Sequence, residues 1–343
     1  DPPGKLVFTD IPEYSVIDDL TGEELPASLV TVAKREEITE MYRRTVWKEK
    51  PVVDCFKDTG KPPIPVRWVV TNKGDRLHPN IRCRLVAKHL VAKYGGKEME
   101  DLFAAMPPFE LVKALLVKAA QRRDRRKTIR KVMFIDVSKA HLYAPVGPDD
   151  KPYVALPAEC EKPGVCGLLG FWLYGMRPAS HGWQEEYTRQ LENLGFTAGV
   201  GSPCCFERKS DGVACVVHGD DFTFEGPPEA LKKVADDLRK VWIIKVRATL
   251  GPEPEDDKEV SILNRIVRWG DDCLLYEADP RHVEKLLREA GLESCKALGT
   301  PGIKEATELT SSAWFEESGL GQEGIGNFDV TGSVPENPEH RPL

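Results

Sequence analysis

The sequence predicts an α+β fold built on antiparallel strands, and three observations carry that prediction. Val213 to Phe224 reads as an apolar strand, a tight turn at Gly219-Asp220-Asp221 and a returning strand. Val66, Trp68 and Val70 alternate up to the turn residues Thr71 to Asp75, and Ile81, Cys83 and Leu85 alternate on the way back. Trp183, Tyr187, Leu191 and Leu194 recur at helical spacing between Pro178 and Gly195, an apolar stripe that needs a sheet to cover. At 343 residues, 41% hydrophobic and 30% charged, the chain has enough apolar material for two or three domains.

Taken in order, residues 1–35 mix Pro, Asp and Thr with isolated apolar residues and read as a loose leader. A helix is predicted from Lys34 to Trp47, followed by the hairpin of Val66 to Leu85, whose period of two puts Arg82 and Arg84 together on the face opposite Cys83 and Leu85. Glu110 to Lys127 suits a helix with one packed side and a basic far end. The strand Val132-Met133-Phe134-Ile135 then runs directly into Asp136. Strands are expected at Tyr153 to Leu156 and Leu168 to Leu173, then the helix after Pro178, then a meander of Cys204 to Arg208, Ser210-Asp211-Gly212 and the strand from Val213. A helix from Pro228 to Val241, a mixed segment to Trp269, a strand at Leu274 to Tyr276 and a helix from Pro280 to Ala290 complete the ordered part. Residues 301–343 are acidic and contain Gly and Ser, which predicts a disordered tail.

The net charge of −7 argues against a protein that binds nucleic acid over its whole surface, but the charge is uneven. Lys113 to Lys131 holds a dense run of Lys and Arg with Asp124 as its only acid, which fits either a contact to a template backbone or a solvated helix end. No run of about 18 apolar residues occurs and the amino end has no signal-peptide pattern, so an intracellular protein outside membranes is expected. Nine scattered cysteines support neither a disulfide framework nor a zinc site. Asp1 in place of an initiator Met suggests a fragment, a processed product or an incomplete gene model.

The chemistry lies in three carboxylates. Asp136 at a strand end and Asp220 with Asp221 at a hairpin tip are hard oxygen ligands suited to magnesium, and phosphoryl or nucleotidyl transfer needs two such ions about 4 Å apart. Gly-Asp-Asp alone reads more readily as a plain tight turn. An upstream apolar strand that ends in a third Asp shifts the balance toward metal chemistry.

Several segments, in one order, resemble the reverse transcriptase domain of copia-type LTR retrotransposons. They are Arg84-Leu85-Val86-Ala87-Lys88, Phe134-Ile135-Asp136-Val137-Ser138-Lys139-Ala140-His141, Leu173-Tyr174-Gly175 leading to Trp183, Leu194-Gly195-Phe196, Cys204-Cys205-Phe206 and Val217-His218-Gly219-Asp220-Asp221. The resemblance covers about Thr39 to Pro301. It implies a right-hand polymerase with fingers at 36–131, an antiparallel-sheet palm at 132–250 and a partial thumb or connection at 251–300.

It further implies an RNA-directed DNA polymerase of retrotransposon origin that uses two Mg2+ ions, with Mn2+ as a substitute, a primer-template and deoxynucleoside triphosphates. Asp136 and Asp220 would hold the metals with Asp221 in support. Arg84, with Arg82 beside it, would meet the triphosphate, and His141 and His181 would line the nucleotide pocket. This chain departs from the family pattern in carrying His141 where the family has Phe or Tyr, Pro178 and His181 where it has Gln and Arg, and Gly219 where it has Val or Ala. Nothing after Pro301 resembles a ribonuclease H domain, so a separated polymerase module is expected. The competing reading is a retrotransposon-derived module that binds nucleic acid or partners without catalysis. RNA-dependent RNA polymerases, which share Gly-Asp-Asp, rank third because Val137 to Tyr143 lacks their second Asp.

Overall fold

Pro26 opens the first helix of the computed structural model, which describes residues 16–89, 104–121, 129–271 and 273–296. Two short paired strands, β1 (Val16–Ile17) and β2 (Glu24–Leu25), precede α1 (Ala27–Arg43). The helix therefore begins earlier than Lys34, inside the stretch read as a loose leader. Val30, Ala33, Ile38 and Met41 are buried along one stripe, and no side chain caps the start, so the usual Ser, Thr or Asp signal was missing. Trp47 lies beyond the helix and starts β3 (Trp47–Pro51), which leads into α2 (Val52–Thr59).

The expected hairpin forms as β4 (Val66–Asn72) and β5 (Ile81–Ala87), paired from Val66 opposite Ala87 to Asn72 opposite Ile81. Cys83, Leu85 and Ala87 are buried while Arg82 is exposed and Arg84 half-buried, so the alternation separates the arginines from the core. Glu159 is buried and accepts from Trp68 Nε1 at 3.0 Å, and its other oxygen pairs with Lys34 Nζ at 2.9 Å. That carboxylate ties α1 to the hairpin.

The helix α3 (Phe109–Ala120) is shorter than the predicted Glu110 to Lys127; residues 122–128 lie outside the described part. β6 (Lys131–Val137) follows, then β7 (Tyr153–Val154) and β8 (Val165–Leu169), which forms a three-stranded sheet in the order β3-β8-β7. After α4 (Ala179–Asn193) come β9 (Thr197–Ala198), β10 (Cys205–Arg208), β11 (Val213–His218), β12 (Asp221–Gly226), α5 (Pro228–Arg239) and β13 (Ile244–Leu250). Six of these strands make one antiparallel sheet in the order β13-β6-β12-β11-β10-β9.

β6 is central and covered on both faces, which explains why it is apolar throughout rather than alternating. Met133, Ile135 and Val137, with Phe222 and Phe224 of β12, pack beneath Trp183, Tyr187 and Leu191 of α4 and Leu231 and Leu238 of α5. Val132 and Phe134 face the other way, against Val112, Leu115, Leu116 and Ala119 of α3. Full burial of a ring such as Phe222 or Phe224 contributes about 3 kcal/mol relative to exposure.

The segment read as mixed contains two more strands, β14 (Glu259–Ile262) and β15 (Arg265–Trp269), which join β16 (Leu274–Ala278) in a small antiparallel sheet. Its Val260, Ile262, Val267 and Trp269 extend the α3-side core. The described residues up to Asp279 form one compact unit and those from Pro280 another, which contains α6 (Pro280–Glu289), with ion pairs Lys285 to Glu289 at 3.7 Å and Arg288 to Glu293 at 3.3 Å. The predicted acidic tail, residues 301–343, lies outside the described residues. All nine cysteines carry free thiols, and no helix among the described residues is long and apolar enough to cross a membrane.

Candidate functional site

The carboxylates meet at one end of the central sheet. In the β12 to β6 register Asp221 lies directly opposite Asp136, and the next backbone amide, Val137 N–H, donates to the Asp220 carbonyl at 2.9 Å. Asp220 itself sits in the two-residue turn between β11 and β12, where His218 pairs with Asp221. Gly219 adopts φ +64° there, the conformation that a primed two-residue hairpin turn demands of its first central residue. A side chain at 219 would meet open space but a strained backbone, which gives Gly219 a local reason to replace the family's usual Val or Ala.

The turn is fixed from outside. Trp183 Nε1 donates to the Gly219 carbonyl at 2.8 Å, and its ring is buried against Tyr187, Phe222 and Trp242 at centroid distances of 5.7, 6.3 and 5.1 Å. The Trp on a helix after Leu-Tyr-Gly therefore has a physical task, to hold the tip of the aspartate hairpin against α4.

Asp136 and Asp221 share a cation that the sequence reading overlooked. Arg247 places Nη2 3.0 Å from Asp136 Oδ1 and 3.7 Å from Asp221 Oδ1. Burial pushes the Asp221 carboxyl above its ordinary value; Arg247 opposes the shift, and the charges of Asp220 and Asp136 add to it. All three carboxylates are thus close enough to feel one another.

Asp220 borders a cavity of about 290 Å³ whose wall includes Arg84, Ala140, His141, Tyr174 and Trp183. His141 packs edge-on against Tyr174 with ring centroids 4.6 Å apart, and its buried Nδ1 has no hydrogen-bond partner. Burial lowers its pKa, only partly opposed by Asp220, so the ring is neutral near pH 7. Burial likewise raises the Tyr174 phenol to about 12, and the Arg84 guanidinium lies 5.2 Å over that ring.

Arg82 and Arg84 line a neighbouring cavity with Lys139, Glu36, Glu37 and Tyr174. Lys139, in a left-handed conformation with φ +57°, forms an ion pair with buried Glu37 of α1. His181 stands apart from these walls, 3.7 Å from Glu185 one helical turn on. The residues brought together are therefore Asp136, Asp220, Asp221, Arg84 and His141, joined by Tyr174 and Arg247. No sequence signal pointed to Arg247, since it lies in a strand that the mixed pattern concealed.

Among the described residues of the basic run, three are engaged in charge pairs; residues 122–128 lie outside the described part. Arg130 and Lys131 are buried, Arg130 on Glu225 and on the Gly212 carbonyl, Lys131 on Glu253 and Asp256, and Lys118 reaches Glu225 at 3.2 Å. At Arg130 and Lys131 both readings, template contact and solvated helix end, give way to internal charge pairing, while Lys118, 40% exposed, meets buried Glu225 from the surface.

The chain belongs to the reverse transcriptase (RNA-dependent DNA polymerase) family, in its copia-type branch, whose pattern matches residues 47–245. That membership makes the fold class a right-hand polymerase with an antiparallel-sheet palm. The family is one of nucleotidyltransferases that copy nucleic-acid templates and generally use divalent metal ions. Among solved structures the chain is similar to an apo telomerase from Candida tropicalis truncated from its C-terminal domain, at 10% identity and a TM-score of 0.40, over 77% of this chain and 64% of that one. No curated protein matches the chain.

Among the described residues no three acidic, His or Cys side chains are grouped so that they could hold a metal ion. The carboxylates are nevertheless hard oxygen donors of the type divalent cations take. Asp136 and Asp221 lie side by side with a guanidinium between them, and the burial that chiefly raises Asp221, with the smaller repulsion from Asp220 and Asp136, is what a bound cation would offset.

Proposed function

We propose that this chain is an RNA-directed DNA polymerase of retrotransposon origin that extends a primer on a template from deoxynucleoside triphosphates. The observation that carries the proposal is the register that sets Asp136 opposite Asp221, with Asp220 hydrogen-bonded through its carbonyl to Val137. Asp136 and Asp220 would hold two Mg2+ ions, or Mn2+, with Asp221 in support. Bound there, such ions neutralise phosphate charge and activate the attacking 3′-hydroxyl.

The chain's own residues do the positioning. Arg84, steadied by the Tyr174 ring, and Arg82 on the same strand face offer guanidinium forks to the triphosphate. His141 forms the wall beneath the sugar, while His181, beside Glu185 and apart from the cavity walls, takes no direct part. In this reading residues 36–131 serve as fingers, 132–250 as palm and 251–300 as thumb or connection.

Arg247 between two of the carboxylates favours one competing reading, a family member that binds nucleic acid without catalysis. Primer extension on an RNA template decides between them, with the parent compared to Asp220→Asn. The polymerase gives template-dependent product that the variant loses by at least about 100-fold, as expected when a transition-state charge ligand is removed. Template binding without product from either protein, in Mg2+ and in Mn2+, would replace the proposal with the binding module.

A further inference from the structure

The strand that carries Arg247 is irregular at that residue. Lys245 lies opposite Asp136 and Val246 opposite Ile135, but Ala248, not Arg247, lies opposite Phe134. Arg247 is the extra residue of a β-bulge, outside the regular ladder. Bulges re-aim a side chain, and they concentrate beside active sites. Here the bulge lets Ala248 keep its buried place in the core while Arg247 extends to Asp136 and Asp221.

We infer that Arg247 is the resident counter-ion of the Asp136 and Asp221 pair, and that a divalent cation enters this site by displacing it. The inference rests on the proposed role of these aspartates as cation ligands. Three carboxylates at one sheet end repel one another, and the guanidinium offsets part of that repulsion while no metal is bound. The Arg247 side chain is 36% exposed, against 25% for Asp136 and 24% for Asp221. It therefore has solvent to swing into, whereas the carboxylates are anchored on paired strands. A bulged residue also contributes no regular ladder pairing that its movement would break. Arg247 is thus a positioning residue that holds the carboxylates together without metal and sets how readily metal binds.

The exchange predicts opposite signs for two measurements on the full 343-residue chain. Mn2+ alone is the probe, with binding followed by the loss of the free-ion paramagnetic signal and thermal unfolding read in parallel. Arg247→Ala should bind Mn2+ about tenfold more tightly than the parent, because the competing charge is gone. Without metal it should unfold at a lower temperature, and Mn2+ should raise its unfolding temperature more than it raises the parent's. Arg247→Lys, which keeps the charge but loses the fork, should fall between the two and serves as the variant if Arg247→Ala does not fold.

Mn2+ affinity that is unchanged or weaker in Arg247→Ala, with Arg247→Lys no tighter than the parent, overturns the exchange and makes the arginine a plain structural strut. Asp136→Asn and Asp220→Asn separate this failure from failure of the functional reading. If the parent binds Mn2+ and both variants abolish it while the Arg247 variants change nothing, the aspartate site stands and only the exchange falls. If neither variant alters binding, the metal assignment itself is wrong.

Discussion

A methyl group at position 175 would sit 2.4 Å from the carbonyl oxygen of Ala87, and Gly175 already holds φ +81°. Both facts come from one junction, where Ala87 N–H donates to the Tyr174 carbonyl at 2.8 Å and joins the β4 to β5 hairpin to the segment before α4. Gly175→Ala therefore meets backbone strain and a collision with backbone at once, and should destabilise the protein by at least about 2 kcal/mol. The loss reads out as an earlier midpoint in urea denaturation. Gly201→Ala, where an added Cβ meets nothing, is the control and should shift the midpoint by far less. Since the junction also carries Tyr174, whose ring stands between Arg84 and His141, triphosphate affinity should weaken along with stability. The glycine was visible in the sequence as part of Leu173-Tyr174-Gly175, but its reason is a contact with a residue far upstream, which no local pattern encodes.

Among elements, those that announce themselves by period or by turn chemistry were legible, and those closed by unusual turns were not. The stripe of Trp183, Tyr187 and Leu191 and the turns at Gly212 and Gly219 placed α4 and the β10 to β12 meander close to where they lie. β14 and β15 were hidden because Leu263 and Asn264, both at positive φ of 46° and 57°, make their connection without a glycine. β3 was hidden because Trp47-Lys48-Glu49-Lys50-Pro51 is charged and pairs along only one edge of its sheet. The start of α1 lacked a cap, but its end has a distinct electrostatic character. Arg43 hydrogen-bonds Glu40 at 2.7 Å and Arg44 joins them, holding the Glu40 carboxyl at about 2, with the Arg43 hydrogen bond the largest cause. Arg44 also lies 4.3 Å over the Tyr143 ring, and Tyr143 accepts from Ile243 N–H at 2.8 Å, so this charge group braces the loop after Asp136. Because the folded pKa is depressed, the stabilisation is present above the ordinary value near 4.5 and disappears as pH falls toward 2. Glu40→Gln should cost about 1 kcal/mol at pH 6 after allowance for solvent screening, and the gap to the parent should close between about pH 4.5 and pH 2. Urea midpoints measured across that range test it, and a gap independent of pH would show that the pairs contribute nothing.

Across the whole molecule, the net charge of −7 and the basic run at Lys113 to Lys131 posed a question that composition could not answer. Counting charges along the chain treats each as facing solvent, whereas the fold brings Glu225, fully buried on β12, between Arg130 and Lys118, and sets Glu253 and Asp256 around Lys131. The partners lie far apart in sequence, so the neutralisation is a product of topology and was not legible beforehand. The three carboxylates were legible because a strand end and a hairpin tip are local features that the family pattern then joins. Arg130 and Lys131 are committed to the interior and support stability rather than template affinity. Arg130→Met leaves Glu225 buried with, among the described residues, Lys118 to meet it and should cost about 3 to 5 kcal/mol. Lys118→Ala removes the more exposed partner and should cost about 1 kcal/mol, while primer-template affinity and its salt dependence stay within about twofold of the parent. Filter binding across a salt series measures the second quantity. A flatter salt slope in Lys118→Ala would return this residue to the template surface, because each lost phosphate contact lowers the slope by about one ion.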